Sequence, residues 1–433
     1  MEKSPEVSGL FVIGVPLAGG LYSIDLNGRT GPSQSSHTIC ARILARHNDN
    51  KCQLSADLWK SVFVSHQKKA STATIPGVHR MRIIKTAPQS SDIVPTASTA
   101  QTRWICRQSL DVLMTFSWIP FSLLAMANLN NPEGLKSLMF SVFLFSFMHQ
   151  PLSLFLVYGD HERFELRRKL FTWSPLIFGL AIYLALHVSP LLLALLAGAW
   201  NVEHTLMQRY GITRIYGRMM GQNQGGVELL MLFSWLLLAA AWAAADPHTM
   251  ERVASLGIRG ANRSAFEVLA EWRSVAEVLL IPLSATVVIL AGKWWIEESH
   301  RPNNRAKHLY LASTLALFVV MVINPIMGFV GYVGAHSFEY FVIVNRAIEK
   351  GYTEPHNLRS HLGRAANGRL GRLGLWVGYL LLIAATIYVL ETHASFLAYS
   401  MVFFTLGALH FFYDGFIWKL RNPQVARSVG AEG

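Results

Sequence analysis

Charge is scarce in this sequence. Only 15% of its 433 residues are Asp, Glu, Lys or Arg, well short of the roughly one quarter usual in soluble domains. So little charge does not cover two or three water-facing domains, although the chain is long enough for them. Cysteine is scarce too. Cys40, Cys52 and Cys106 all precede the first long apolar run and fall in no metal-ligand or redox spacing, which leaves no zinc-ribbon or disulfide framework to build on. There is no Walker-type phosphate loop, no GxGxxG between a strand and a helix, no HExxH and no CxxC, so the common nucleotide, metalloprotease and thiol-redox chemistries lack their residues. The paired or closely repeated histidine boxes of membrane desaturases and hydroxylases are absent as well. The histidines of the apolar region are single and widely separated.

Apolar residues are abundant, at 52% of the chain, and the mean hydropathy is positive. This composition predicts an all-α, polytopic integral membrane helical bundle in a lipid bilayer. The formal net charge of +12 raises the possibility of nucleic acid. The Lys and Arg residues, however, scatter among the loops between apolar runs instead of forming one patch, so no nucleic-acid partner is expected.

Residues 1–106 mix Ser, Thr, Gln and Pro with basic residues ("STATIPGVHRMRIIKTAPQSSDIVPTASTAQTR") and predict a flexible extramembrane segment. The early run "GLFVIGVPLAGGLYSIDL" has several glycines and no clear cleavage site, so it is not expected to be a signal peptide. From 107 to 420 a window of about 19 residues picks out about ten spans. They lie near 110–127, 138–158, 170–187, 190–208, 226–245, 275–292, 308–326, 329–345, 373–390 and 395–418. Turns at Ser189–Pro190 and Pro325–Gly328 make helical hairpins of the third and fourth spans and of the seventh and eighth. Residues 421–433 form a short tail.

Lys and Arg are retained on the cytoplasmic side of membrane proteins. Segments after the even-numbered spans are basic: "HERFELRRK", "RYGITRIYGR", "KWWIEESHRPNNRAK", "RAIEKGYTEPHNLRSHLGRAANGR" and "KLRNPQVAR". Both termini are therefore expected in the cytoplasm. The longer segment 246–273 is amphipathic and is expected on the outer surface.

Ionisable residues inside the spans are few. Those more than three residues from a span end are His149, Glu203 with His204, His336 with Glu339, and His410 with Asp414, all on even-numbered spans that run the same way through the bilayer. At 1.5 Å per residue from the outer end, His149 and Glu339 lie about 15 Å deep, His204 and His410 about 21 Å, His336 about 10 Å and Asp414 about 28 Å. His336 and Glu339 are three apart and His410 and Asp414 four apart, so each pair projects from one helical face. Gly328, Gly331 and Gly334 lie roughly opposite the His336 face, where small residues let another helix approach. Glu203 and His204 are adjacent and diverge, which makes Gln208 the better companion of His204.

Any one membrane histidine can simply bond a neighbouring helix, and Asp414, close to Trp418 and Lys419, can be an interfacial carboxylate. Taken together, His149, His204, His336, Glu339, His410 and Asp414 are candidate ligands for a transition metal. Imidazole and carboxylate suit iron, manganese or zinc, with carboxylates alternatively orienting the histidines from behind. Three functions follow: a non-haem iron-type oxidoreductase acting on a lipid or isoprenoid substrate, a haem electron carrier with two axial histidines, or a proton- or ion-coupled transporter. Internal prolines (Pro120, Pro151, Pro282) lean towards transport, but no inverted repeat is evident.

Overall fold

Apolar segments this long must satisfy their own backbone N–H and C=O groups, and a helix does so within each segment. The structure, a computed structural model, describes residues 102–248, Glu251, 260–352 and 360–431. The expected flexible segment, as far as residue 101, lies outside them. The described elements are all helices: α1 Gln108–Thr115, α2 Trp118–Asn128, α3 Pro132–His149, α4 Pro151–Tyr158, α5 His161–Leu166, α6 Arg168–Val188, α7 Pro190–Arg218, α8 Gly226–Ala245, α9 Gly260–Glu271, α10 Arg273–Ser299, α11 Arg305–Ile323, α12 Pro325–Gly351, α13 His361–Ala366, α14 Gly371–His393, α15 Phe396–Ile417 and α16 Pro423–Ser428.

Local sequence sets the boundaries. Ser189 accepts from Leu192 N and Asn324 from Ile326 N and Met327 N, each followed by a proline at the first helical position, so the two expected hairpin turns are N-caps joined to N1 prolines. Pro151 has no N–H to continue the ladder, and the second expected span accordingly breaks there into α3 and α4.

Among the described residues, nine helical stretches are long and apolar enough to cross a membrane, counting α1 with α2 and α3 with α4 as one each. The expected span 190–208 is not among them. It lies in α7, whose Asn201, Glu203, His204 and Gln208 dilute its apolar character. Nor does α7 end where expected. "RYGITRIYGR", read above as a basic loop, continues the helix, and its Arg209 and Arg214 are buried. Arg214 pairs with Glu228 at 3.2 Å. Lys307, also counted above among loop charges, is fully buried between Glu228 and Glu298 and donates to Gln222 Oε1 at 2.7 Å. This network ties α7, α8, α10 and α11 together.

The centre of the bundle is α12, with 78% of its apolar window buried. A Cβ at Gly331 would run into Ser122, one at Gly334 into the Phe121 ring, and one at Gly328 into Met321. The glycine face therefore seats α12 against α2 and α11, which turns the opposite face, with His336, towards α3, α7 and α15. At the periphery α6, α10 and α14 expose large apolar side chains such as Leu176, Ile281 and Leu373, a surface suited to lipid tails.

Candidate metal centre

His149 is the last residue of α3, immediately before the Pro151 break. His204 lies midway along α7, His336 near the middle of α12 and His410 in the second half of α15. All four imidazoles are buried, His410 completely. Nε2 of His410 lies 3.1 Å from Nε2 of His149 and 3.1 Å from Nε2 of His204. The His336 ring stands edge-on to His149, with centroids 4.6 Å apart at 87°, and to His204, 5.3 Å apart at 89°.

Behind His410 the hydrogen bonds assign its tautomer. Ser153 Oγ lies 2.7 Å from His410 Nδ1 and 2.5 Å from Asp414 Oδ1. With Asp414 ionised, the Ser153 hydroxyl gives its one proton to the carboxylate and Ser153 Oγ accepts the Nδ1–H of His410. Tyr340 OH also donates to Asp414 Oδ1, at 2.8 Å, and Trp418 Nε1 donates to Tyr340 OH at 3.4 Å. His410 therefore presents a bare Nε2 lone pair to the other histidines. Asp414 stands one hydroxyl away from the ring, since its direct approach to His410 Nδ1 is 3.8 Å. Its second oxygen lies 3.8 Å from His204 Nε2.

Protein atoms alone satisfy this cluster poorly. One lone pair on His410 faces two nitrogens, and neither nitrogen of His336 has a hydrogen-bond partner. Each such buried group costs about 1–3 kcal/mol if nothing completes it. A cation bound among the facing nitrogens would answer the His410 lone pair and one nitrogen of His336. Nitrogens bound to one ion at about 2.1 Å in a tetrahedral arrangement stand about 3.4 Å apart, close to the two separations of 3.1 Å. Two overlapping groups have ligand atoms within 4.8 Å of one another, His149/His336/His410 and His204/His410/Asp414. Either can hold a metal ion.

Five of the six candidate residues thus come together, and Glu339 does not join them. It turns from the His336 face towards α7, where its Oε1 lies 2.9 Å from Arg209 Nη2 with both side chains fully buried. Gln208, expected beside His204, instead donates to the backbone carbonyl of His336 at 2.9 Å and to Glu339 Oε2 at 3.3 Å. Arg209 was hidden in the sequence by its place at the edge of an apparently basic loop. An arginine only five residues after an intrahelical histidine was the available signal. Asp160 caps α5 and accepts from Tyr352 OH at 2.6 Å, and His161 is exposed, so this pair opens a short helix outside the histidine cluster. Cys106 carries no role here: burial pushes its thiol up to about 11, keeping it protonated and unreactive. Cys40 and Cys52 lie outside the described residues.

Compared with protein families, with curated proteins and with solved structures, the chain matches none.

Proposed function

We propose that this chain is an integral membrane protein that holds a transition metal ion between α3, α7, α12 and α15 and acts as an oxidoreductase of the non-haem iron type on a lipid or isoprenoid substrate. The observation that carries it is that Nε2 of His410 lies 3.1 Å from Nε2 of both His149 and His204, beside a His336 whose nitrogens have no hydrogen-bond partner. The four imidazoles are the proposed ligands. Asp414 orients His410 through Ser153 and offers its free oxygen on the His204 side. Glu339 acts at a distance, by clamping α12 to α7 through Arg209.

An ion held there supplies Lewis acidity and, if it is redox-active, one-electron chemistry in an apolar setting. The chain's own part is to align the ligands and keep water out. Ser153 and Asp414 hold the proton of His410 on Nδ1, so that Nε2 stays a ligand. Phe411 covers His204, with ring centroids 4.5 Å apart, and lipid-facing α6 and α14 leave bilayer substrates free to approach from the side.

A haem fits less well. Two axial nitrogens need about 4 Å between them, twice a metal–nitrogen bond of about 2 Å, with a flat macrocycle in the gap; the nitrogens here are 3.1 Å apart. Transport has less support too: Glu228, Glu298 and Glu339 are each paired with a buried Arg or Lys, and Asp111 and Asp414 are held by hydrogen bonds from Tyr216, and from Ser153 and Tyr340. With α7 included the described helices make ten crossings, and the distribution of Lys and Arg favours the cytoplasmic side for both ends of this bundle.

The test is elemental analysis and an absorption spectrum of detergent-purified protein beside a His410→Ala variant. One tightly held transition metal per chain, lost in the variant and without a Soret band, is expected. Metal-free wild-type protein overturns the proposal.

A further inference from the structure

The break between α3 and α4 places Gln150 directly after His149. Its side chain is 93% buried, from a relative exposure of 7%, and its Oε1 accepts no hydrogen bond. Across from it lies Gly407, three residues before His410 on α15. The three atoms nearest to a Cβ built on Gly407 all belong to Gln150, with Oε1 at 3.5 Å. An unanswered amide oxygen and a missing side chain therefore meet beside two of the proposed metal ligands.

Away from the histidines this seam becomes aromatic. Phe403, one turn from Gly407, stacks on Phe147 with centroids 5.4 Å apart at 9°, and Tyr399, a further turn along, stacks on Phe403 at 6.4 Å and 8°. An apolar chain has a wall to lie on, and the amide oxygen waits at its inner end. A buried acceptor in such surroundings calls for a donor. The donor has to be neutral, since the nearby carboxylates are committed, Asp414 to Ser153 and Tyr340 and Glu339 to Arg209. An ammonium group would find no counter-charge there.

We propose that Gln150 binds the hydroxyl of a long-chain alcohol, whose chain runs along Phe147, Phe403 and Tyr399 and whose oxygen-bearing end lies beside His149 and His410. This rests on the proposed metal site for its chemical consequence, but the alcohol contact is testable by itself.

The experiment is photo-labelling of the purified full chain in lipid nanodiscs with a diazirine-bearing hexadecanol, the labelled peptides being located by mass spectrometry. Competitors are 1-hexadecanol and 1-methoxyhexadecane, which lacks only the donated proton. Label in α3 or α15, competed about tenfold better by the alcohol than by the ether, is expected. Gln150→Leu should abolish that preference, and Gly407→Ala, whose methyl has Gln150 as its nearest neighbour at ordinary contact distance, should lower the labelling while leaving the fold intact. Equal competition by both compounds, or a preference that survives Gln150→Leu, means that a water or nothing at all answers the amide, and overturns the proposal. Metal content measured on the same samples separates the two ideas. Metal without an alcohol preference sinks this inference alone, and an alcohol preference without metal sinks only the proposed metal site.

Discussion

Nε2 of His204 lies 3.1 Å from Nε2 of His410 across 206 residues of sequence. Two neutral imidazoles can share one proton at that distance, but His410 meets His149 through the same atom at the same separation. A single lone pair serving two neighbours marks the point where a cation is expected, and the first predictions concern it.

Replacing any one of the four histidines should lower metal content, most of all at His410, which belongs to both possible ligand groups. His410→Ala is expected to retain less than about one tenth of the wild-type metal, and His336→Ala an intermediate amount. Plasma emission spectrometry on detergent-purified protein checks this. Equal losses for all four would show that His410 is not the shared ligand.

Ser153 and Asp414 act on the metal through His410. Outer partners of this kind typically change affinity by about 10–100-fold, so Ser153→Ala and Asp414→Asn should each weaken metal retention against a chelator by that order. The ring itself should respond as well: 15N shifts of a labelled, metal-free sample are expected to report an Nδ1-protonated His410 in wild type and a mixture of tautomers in Ser153→Ala. An unchanged tautomer would remove Ser153 from this role.

Arg209 and Glu339 form a fully buried ion pair. Removing one partner strands the other, at a cost of about 3–5 kcal/mol. Arg209→Met alone should therefore unfold at markedly lower temperature, while the double variant Arg209→Met/Glu339→Leu should recover much of the loss. Were the double variant as unstable as the single, the pair would owe its importance to shape and not to charge.

Gly334 lies against the Phe121 ring. Gly334→Leu should push α12 away from α2 and displace His336, lowering both stability and metal content. Gly378, around which a Cβ would meet nothing within 4 Å, should accept leucine without either effect. Comparing melting temperature and metal content of the two variants tests whether close packing of α12 positions the site.

Much of the fold could be read in advance because burial in lipid and helix formation leave the same trace, a long apolar run. That trace placed α6, α8, α11 and α14 within a few residues of their observed positions. On α7 it found the start at Pro190 but not the end, because Arg209 and Arg214 made the last turns look like a basic loop. The same weakness misassigned Lys307 and Arg214 to loops. A charged residue near the end of an apolar run looks solvated until its partner on another helix is known.

The linear sequence by itself determined an all-helical chain with long apolar segments and a handful of intrahelical histidines, because hydrogen bonding within a helix and the cost of exposing apolar side chains depend on residue type and spacing alone. It also placed those histidines at comparable depths. Only the tertiary structure decided that His149, His204, His336 and His410 meet, that Asp414 reaches them through Ser153, and that Glu339 turns away to Arg209. The rotation of each helix about its own axis is set by what packs behind it, as the glycine face of α12 is seated on α2 and α11, and that packing joins residues which no spacing along one helix can relate.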